Sequence, residues 1–244
     1  MTSREDWQRR LGPLYGGAVA LVHSTPWRWP SEVGDEARSS GWVVALGVPV
    51  GFVAWLVARV VVGLGISPAV AVLLGLAMLT VASAALVERG TAELIDRWQG
   101  QGRSPGVAAV LVLVFVTLIR AAALLSVPRV ADWLLLFITT AVVGRWAAAF
   151  LQALGDPIAH DEAKRSLVAV PSPAWLTAAL GLAVAALAVV ALGKLGLLVM
   201  ALTALLVFAL GLVTQRRDGG LTPPVVAVAA AIGELLVLIV ATVH

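Results

Sequence analysis

Glu88, Arg89, Glu93 and Asp96 stand in the segment E-R-G-T-A-E-L-I-D, where a long apolar run ends. On a helix, Arg89, Glu93 and Asp96 share one face, because residues three, four and seven apart are neighbours there. Carboxylates gathered at the mouth of a membrane helix suit Mg2+ held against a phosphate. The hard ion takes oxygen ligands, and its charge offsets that of the phosphoryl group. Glu93 and Asp96 are therefore candidate catalytic residues, and Glu88, Glu93 and Asp96 candidate metal ligands. A guanidinium at Arg89 would repel such an ion. The same residues also read as a surface ladder, since Arg89–Glu93 and Glu93–Arg97 are both i, i+4 pairs.

Arg120, Arg145 and Glu234 fall inside apolar runs, where an ionisable group costs a few kcal/mol and so requires a reason. Arg145 and Glu234 lie at matching distances, roughly 13 Å, from helix ends on the same side. Opposite charge at equal depth predicts an ion pair. The alternative is an arginine that grips a substrate phosphate, positioned by the glutamate. Arg120 has no partner visible in sequence. Arg59, near the end of its run, can snorkel to the interface.

Two loop segments carry further polar groups. Gln215 to Pro224 reads Q-R-R-D-G-G-L-T-P-P, in which Gly219 and Gly220 can turn backbone N–H groups toward an anion. Thr222 is placed to cap the next helix, with Pro223 in its first turn. Gly219, Gly220, Thr222, Arg145 and Glu234 form the candidate substrate-binding set, although Gly-Gly-Leu-Thr-Pro is equally ordinary turn-and-cap chemistry. Asp156 to Arg165, D-P-I-A-H-D-E-A-K-R, reads as a solvated loop.

Apolar helices must position these groups. Hydrophobic residues make up 60% of the 244 positions, and the mean hydropathy is +0.98. The apolar runs are about twenty residues long, enough to cross a bilayer. An all-α, polytopic membrane helix bundle follows, read as one integral membrane domain over 1–244. Seven spans are expected at 43–64, 66–87, 106–127, 130–154, 174–192, 195–213 and 225–243. Leu11 to Val22 is too short to cross and is expected to be a re-entrant or interfacial helix. The charged N-terminus and the absence of a clear cleavage site exclude a signal peptide. There is no cysteine, and His23, His160 and His244 are scattered, so neither disulfides nor a zinc site is expected. The net charge of +3 belongs to topology rather than to nucleic-acid binding. With a cytoplasmic N-terminus, twelve Lys and Arg residues fall inside and only Arg129 and Lys194 outside. That bias orients a multi-pass protein of the cell (plasma or inner) membrane. It also gathers the 88–105, 155–173 and 214–224 loops on the cytoplasmic face.

The chain resembles the cobalamin synthase family, the adenosylcobinamide-GDP ribazoletransferases of late vitamin B12 synthesis, from about Ala18 to Val240. V-A-L-V-H-S-T-P-W-R-W-P looks like the family's threonine-arginine-leucine-proline opening. A-R-S-S-G-W-V-V-A-L-G-V-P-V-G is similar to its entry into the first span. A-V-V-G-R-W-A-A-A-F is similar to the family's Gly-Arg helix and carries Arg145. D-G-G-L-T-P-P-V-V-A-V-A-A-A-I-G-E-L resembles G-G-x-T-G-D-x-L-G-A-x-x-E, with Gly219, Gly220 and Thr222 in place. The family's D-G-x-A-D-x-x-D-G signature, thought to bind magnesium, falls on R-G-T-A-E-L-I-D-R. Gly90, Ala92 and Asp96 match, Glu93 replaces an aspartate by its homologue, and Arg89 replaces the first aspartate outright. Pro223 and Pro224 stand for the later Gly-Asp, and Ala231 for the glutamate.

The resemblance implies a membrane enzyme that joins α-ribazole or its phosphate to a corrinoid with loss of GMP, using Mg2+. The departures open a second reading, a non-catalytic structural or corrinoid-binding subunit. In it Arg89 supplies the metal's charge, and the chain forms a homo-oligomer or pairs with an intact homologue. A third reading is a small-substrate transporter, which needs charged residues along a continuous path.

Overall fold

Runs of Val, Leu and Ala fold as helices here because lipid offers no partner to backbone N–H and C=O groups, and a helix satisfies them internally. The computed structural model describes residues 4–27, 40–100, 106–130, 132–155 and 173–243. It is helical in the order α1 (Arg4–Leu11), a 3-10 turn (Gly12–Leu14), α2 (Tyr15–Ser24), α3 (Ser40–Ala45), α4 (Gly47–Gly63), α5 (Pro68–Ala82) and α6 (Leu86–Trp98). α7 (Val107–Ser126), α8 (Trp133–Leu154), α9 (Ala174–Leu192), α10 (Leu195–Asp218) and α11 (Pro223–Val240) follow. Among the described residues, six helices are long and apolar enough to cross a membrane, or seven if α5 and α6 count as one broken span. The expected polytopic bundle is thus observed. The short N-terminal helix is α2, ten residues long, which packs on α3 where Trp42 faces Gly17.

α8 is the central helix, with 72% of its most apolar stretch buried, and α11 follows at 61%, against 17–33% for the other continuous spans. The outer helices instead present Phe115, Leu182, Leu205 and similar side chains outward. On a soluble protein so much exposed apolar surface would be a liability, whereas a bilayer covers it. Inside the bundle, small residues set the helix spacing, because lipid gives no hydrophobic drive for one helix to prefer another and close packing must supply it. A Cβ on Gly233 would lie 3.1 Å from Gly144 Cα, so α8 and α11 cross almost backbone to backbone. A Cβ on Gly51 would lie 2.5 Å from the Phe137 carbonyl oxygen, which fixes α4 on α8.

The expected span at 66–87 is not continuous. α5 ends at Ala82, and α6 leaves it at an angle of 81°. Ala84 and Ala85 both adopt left-handed φ of 53°, a conformation that costs about 1–2 kcal/mol for a residue with a Cβ. Closure of the helix end offsets this: the Ala85 N–H donates to Thr80 O at 2.8 Å, satisfying a carbonyl that the helix would otherwise orphan. α6 is amphipathic, with Thr91 and Leu94 buried and Arg89, Glu93 and Arg97 exposed. An apolar count over 66–87 cannot register a turn made of alanines. α6 then packs on α11, where a Cβ on Gly90 would collide with the Ala227 side chain.

Gly233→Val is expected to destabilise the protein by about 1–3 kcal/mol, the usual cost of forcing extra volume into a packed contact. Gly65→Ala, whose added Cβ meets nothing within 4 Å, removes no contact and serves as the comparison, its cost coming from its φ of +79° alone. Thermal unfolding in detergent reads both; equal midpoints for Gly233→Val and wild type would contradict the crossing.

Candidate functional site

The buried charges gather on Arg120. Its side chain is 6% exposed and sits on α7 between carboxylates from two other helices. One guanidinium nitrogen lies 2.8 Å from Glu234 Oε2 on α11, and another 3.5 Å from Glu88 Oε1 on α6. Thr80 Oγ1, just before the bend, also donates to Glu88 Oε1 at 2.8 Å. The 81° turn makes this possible, because it folds the start of α6 back beside the end of α5.

The expected Arg145–Glu234 pair is not formed; no ion pair within 4 Å joins them among the described residues. Equal depth fixes a level along a helix but not a direction around it, and Arg120 reaches Glu234 first. Arg145 instead donates to the Ala141 carbonyl at 3.0 Å and to Ser83 Oγ, in the bend, at 2.9 Å. Gly144, beside it in sequence, leaves the room that the Glu234 side chain occupies: an added Cβ would lie 2.6 Å from Glu234 Cγ.

The α6 carboxylates point to different partners. Glu88 faces Arg120 and Thr80. Glu93 is exposed and pairs with Arg97 at 3.1 Å, so the expected ladder forms at that step. Asp96 Oδ1 accepts the Gly106 N–H at 2.9 Å and ties the end of α6 to the start of α7. No group of three or more His, Asp or Glu side chains among the described residues is placed to hold one metal ion. Glu88, Glu93 and Asp96 therefore do not fit a shared three-carboxylate magnesium site. Arg89 is exposed, so the cation seated between carboxylates is Arg120 and not Arg89.

The 214–224 turn is brought onto α6. Arg217 donates to the Trp98 carbonyl at 3.2 Å, and its guanidinium lies 5.1 Å from the centre of the Trp98 ring. Two of the three loops expected to converge are thus in contact. Residues 156–172 of the third, including Asp156 to Arg165, lie outside the described residues. Gly219 closes α10 with φ of 77°, a left-handed position suited to glycine, and Gly220 is buried. Thr222 is the N-cap residue of α11 and Pro223 opens the helix, but the Thr222 side chain makes no capping bond and its Oγ1 is buried without a partner.

A cleft runs along α8 between α11, the bend and the N-terminal helices, lined by Arg145, Gln152, Ser83 and Glu234 among apolar walls. Sequence reasoning found Arg145 and Glu234 as ionisable groups in apolar runs. It missed Ser83 and Gln152, which are uncharged and stand out only once the bend and the α8 face are known.

Fold and site together define a polytopic helical membrane protein with a charge knot joining α6, α7 and α11 beside a cleft on α8. The chain belongs to the cobalamin-5-phosphate synthase family, whose model matches residues 17–242. That membership supports a cobalamin-synthase-like role in cobalamin biosynthesis. No curated protein and no solved structure matches the chain.

Arg120→Leu removes the only cation bonded to Glu88 and Glu234 among the described residues, and is expected to cost about 3–5 kcal/mol, as for other broken buried pairs. Adding Glu234→Leu should recover part of that loss. A double variant no more stable than the single one, by denaturant titration in micelles, would show that the pair is not what holds these helices.

Proposed function

We propose that this chain is a cobalamin-synthase-like protein of the cell membrane, with a cytoplasmic N-terminus, that keeps the family's substrate-side frame and has lost the metal-dependent transfer. It acts as a structural or corrinoid-binding subunit, as a homo-oligomer or beside an intact homologue. The carrying observation is that Glu88 is held by Arg120 and Thr80, while Glu93 and Asp96 engage other protein groups. A guanidinium already joins Glu88 of α6 to Glu234 of α11, so that pair needs no ion to stay together.

On the substrate side, Arg145 is the residue for a phosphate, because its bonds run to neutral acceptors. Glu234 supports the site through Arg120 rather than through Arg145. Gly219, Gly220 and Thr222 shape the turn beside α6 on the face that the Lys and Arg bias makes cytoplasmic. A working transferase is the second reading. It is favoured by Glu93 and Asp96 lying three residues apart with Glu93 open to solvent, where two carboxylates and water could complete a magnesium shell.

The two readings separate in a bacterium that lacks its own cobalamin synthase, supplied with cobinamide and the lower-ligand base. Membrane insertion is confirmed by immunoblot. The proposal expects no cobalamin-dependent growth from the inserted protein. Growth that disappears with Asp96→Asn would establish the transferase reading instead.

A further inference from the structure

The outer face of α10 changes character within one helical turn. Leu205, Phe208 and Leu212 are exposed and apolar, and their spacing keeps them on one side of the helix. Arg216 continues that stripe four residues after Leu212 and is also exposed. Apolar side chains turned outward on a membrane-spanning helix face acyl chains, so a guanidinium one turn further on stands where the chains give way to headgroups. Trp175, exposed in the first turn of α9, lies near the same level, because α9 and α10 run back to back through the short turn at Gly193 and Lys194. Tryptophan favours that boundary.

Further basic groups collect beside Arg216. α6 leaves α5 at 81°, so where α5 crosses the membrane α6 runs along its surface. Arg89, Glu93 and Arg97 form the exposed stripe of α6, and Thr91 and Leu94 lie on its buried side. Arg217 donates to the Trp98 carbonyl and lies over the Trp98 ring, which brings the basic end of α10 against the Arg97 end of α6. Arg89 and Arg216 form no ion pair among the described residues. The carboxylates nearby are engaged or turned inward: Glu93 pairs with Arg97, Asp96 accepts the Gly106 N–H, and Asp218 Oδ2 is buried. Arg89, Arg97, Arg216 and Arg217 therefore face outward against the exposed carboxylate of Glu93. Basic residues gathered at the headgroup level attract anionic lipid, and each one within a Debye length of the surface adds to the attraction.

We propose that this face of α6 and α10 binds the headgroups of anionic phospholipids, with Arg216 and Arg217 at its centre and Arg97 and Arg89 extending it along α6. The occupant is a lipid because Arg216 stands on the lipid-facing stripe of α10. None of these arginines lines the α8 cleft, so the surface is separate from it and independent of whether transfer occurs.

The test titrates the full chain in detergent micelles with phosphatidylglycerol, and in parallel with phosphatidylcholine of the same chain length, and counts bound lipid by native mass spectrometry. Wild type is expected to bind phosphatidylglycerol at least about fivefold more tightly, and Arg216→Gln to lose about fivefold of that affinity. Glu93→Gln, which removes the opposing carboxylate and frees Arg97, should bind more tightly than wild type. Arg59→Gln, an exposed arginine at the opposite end of the bundle, should bind as wild type does. Equal affinity for the two lipids, an Arg216→Gln variant that binds like wild type, or weaker binding by Glu93→Gln would overturn the surface. So would an equal loss in Arg59→Gln, which would mean attraction by net charge alone. Displacement of phosphatidylglycerol by an equal concentration of glycerol 3-phosphate would show a site for soluble phosphate esters and would also overturn it.

Discussion

A guanidinium between two carboxylates in a water-poor interior is the interaction on which this structure depends. Arg120, Glu88 and Glu234 come from α7, α6 and α11, and each would be costly to bury alone. Together they bind three helices at one point, because the guanidinium reaches both carboxylates only where those helices meet. A buried charge cluster of this kind adds specificity of packing more surely than net stability, and that is the role we assign it. Thr80 extends the cluster to α5, so the bend and the knot support each other.

The remaining architecture makes that meeting geometrically possible. Glycines at 90, 144 and 233 let α6, α8 and α11 approach to backbone distance. Without the left-handed pair at Ala84 and Ala85, α6 would continue along α5 and carry Glu88 away from Arg120. The same turn delivers Ser83 to Arg145, leaving that arginine with neutral partners at the inner end of a cleft. One bend thus decides which arginine bonds the carboxylates and which bonds neutral groups.

Much of this was legible in the residues. Length of apolar runs marked the long helices, and charge bias grouped the 88–105 and 214–224 segments that Arg217 and Trp98 bring into contact. Arg145 and Glu234 stood out because charge in an apolar run demands a reason. Three features were not legible. The break before α6 is built from alanines with no proline or glycine to mark it. The partner of Glu234 was misjudged because depth along a helix is readable in sequence, whereas the facing of α7 toward α6 and α11 is a tertiary outcome. Asp96 read as a metal ligand by its type, yet its Oδ1 accepts the Gly106 N–H across a connection whose geometry no spacing predicts.

The central claim is that each α6 carboxylate is already engaged by a separate protein group, Glu88 by Arg120, Glu93 by Arg97 and Asp96 by the Gly106 N–H, so that they do not gather around a divalent ion. Titration of the purified protein with Mn2+, followed by electron paramagnetic resonance, tests it directly. The account predicts no stoichiometric binding in wild type and no change with Asp96→Asn. One tightly bound Mn2+ per chain, abolished by Asp96→Asn or Glu93→Gln, would contradict it.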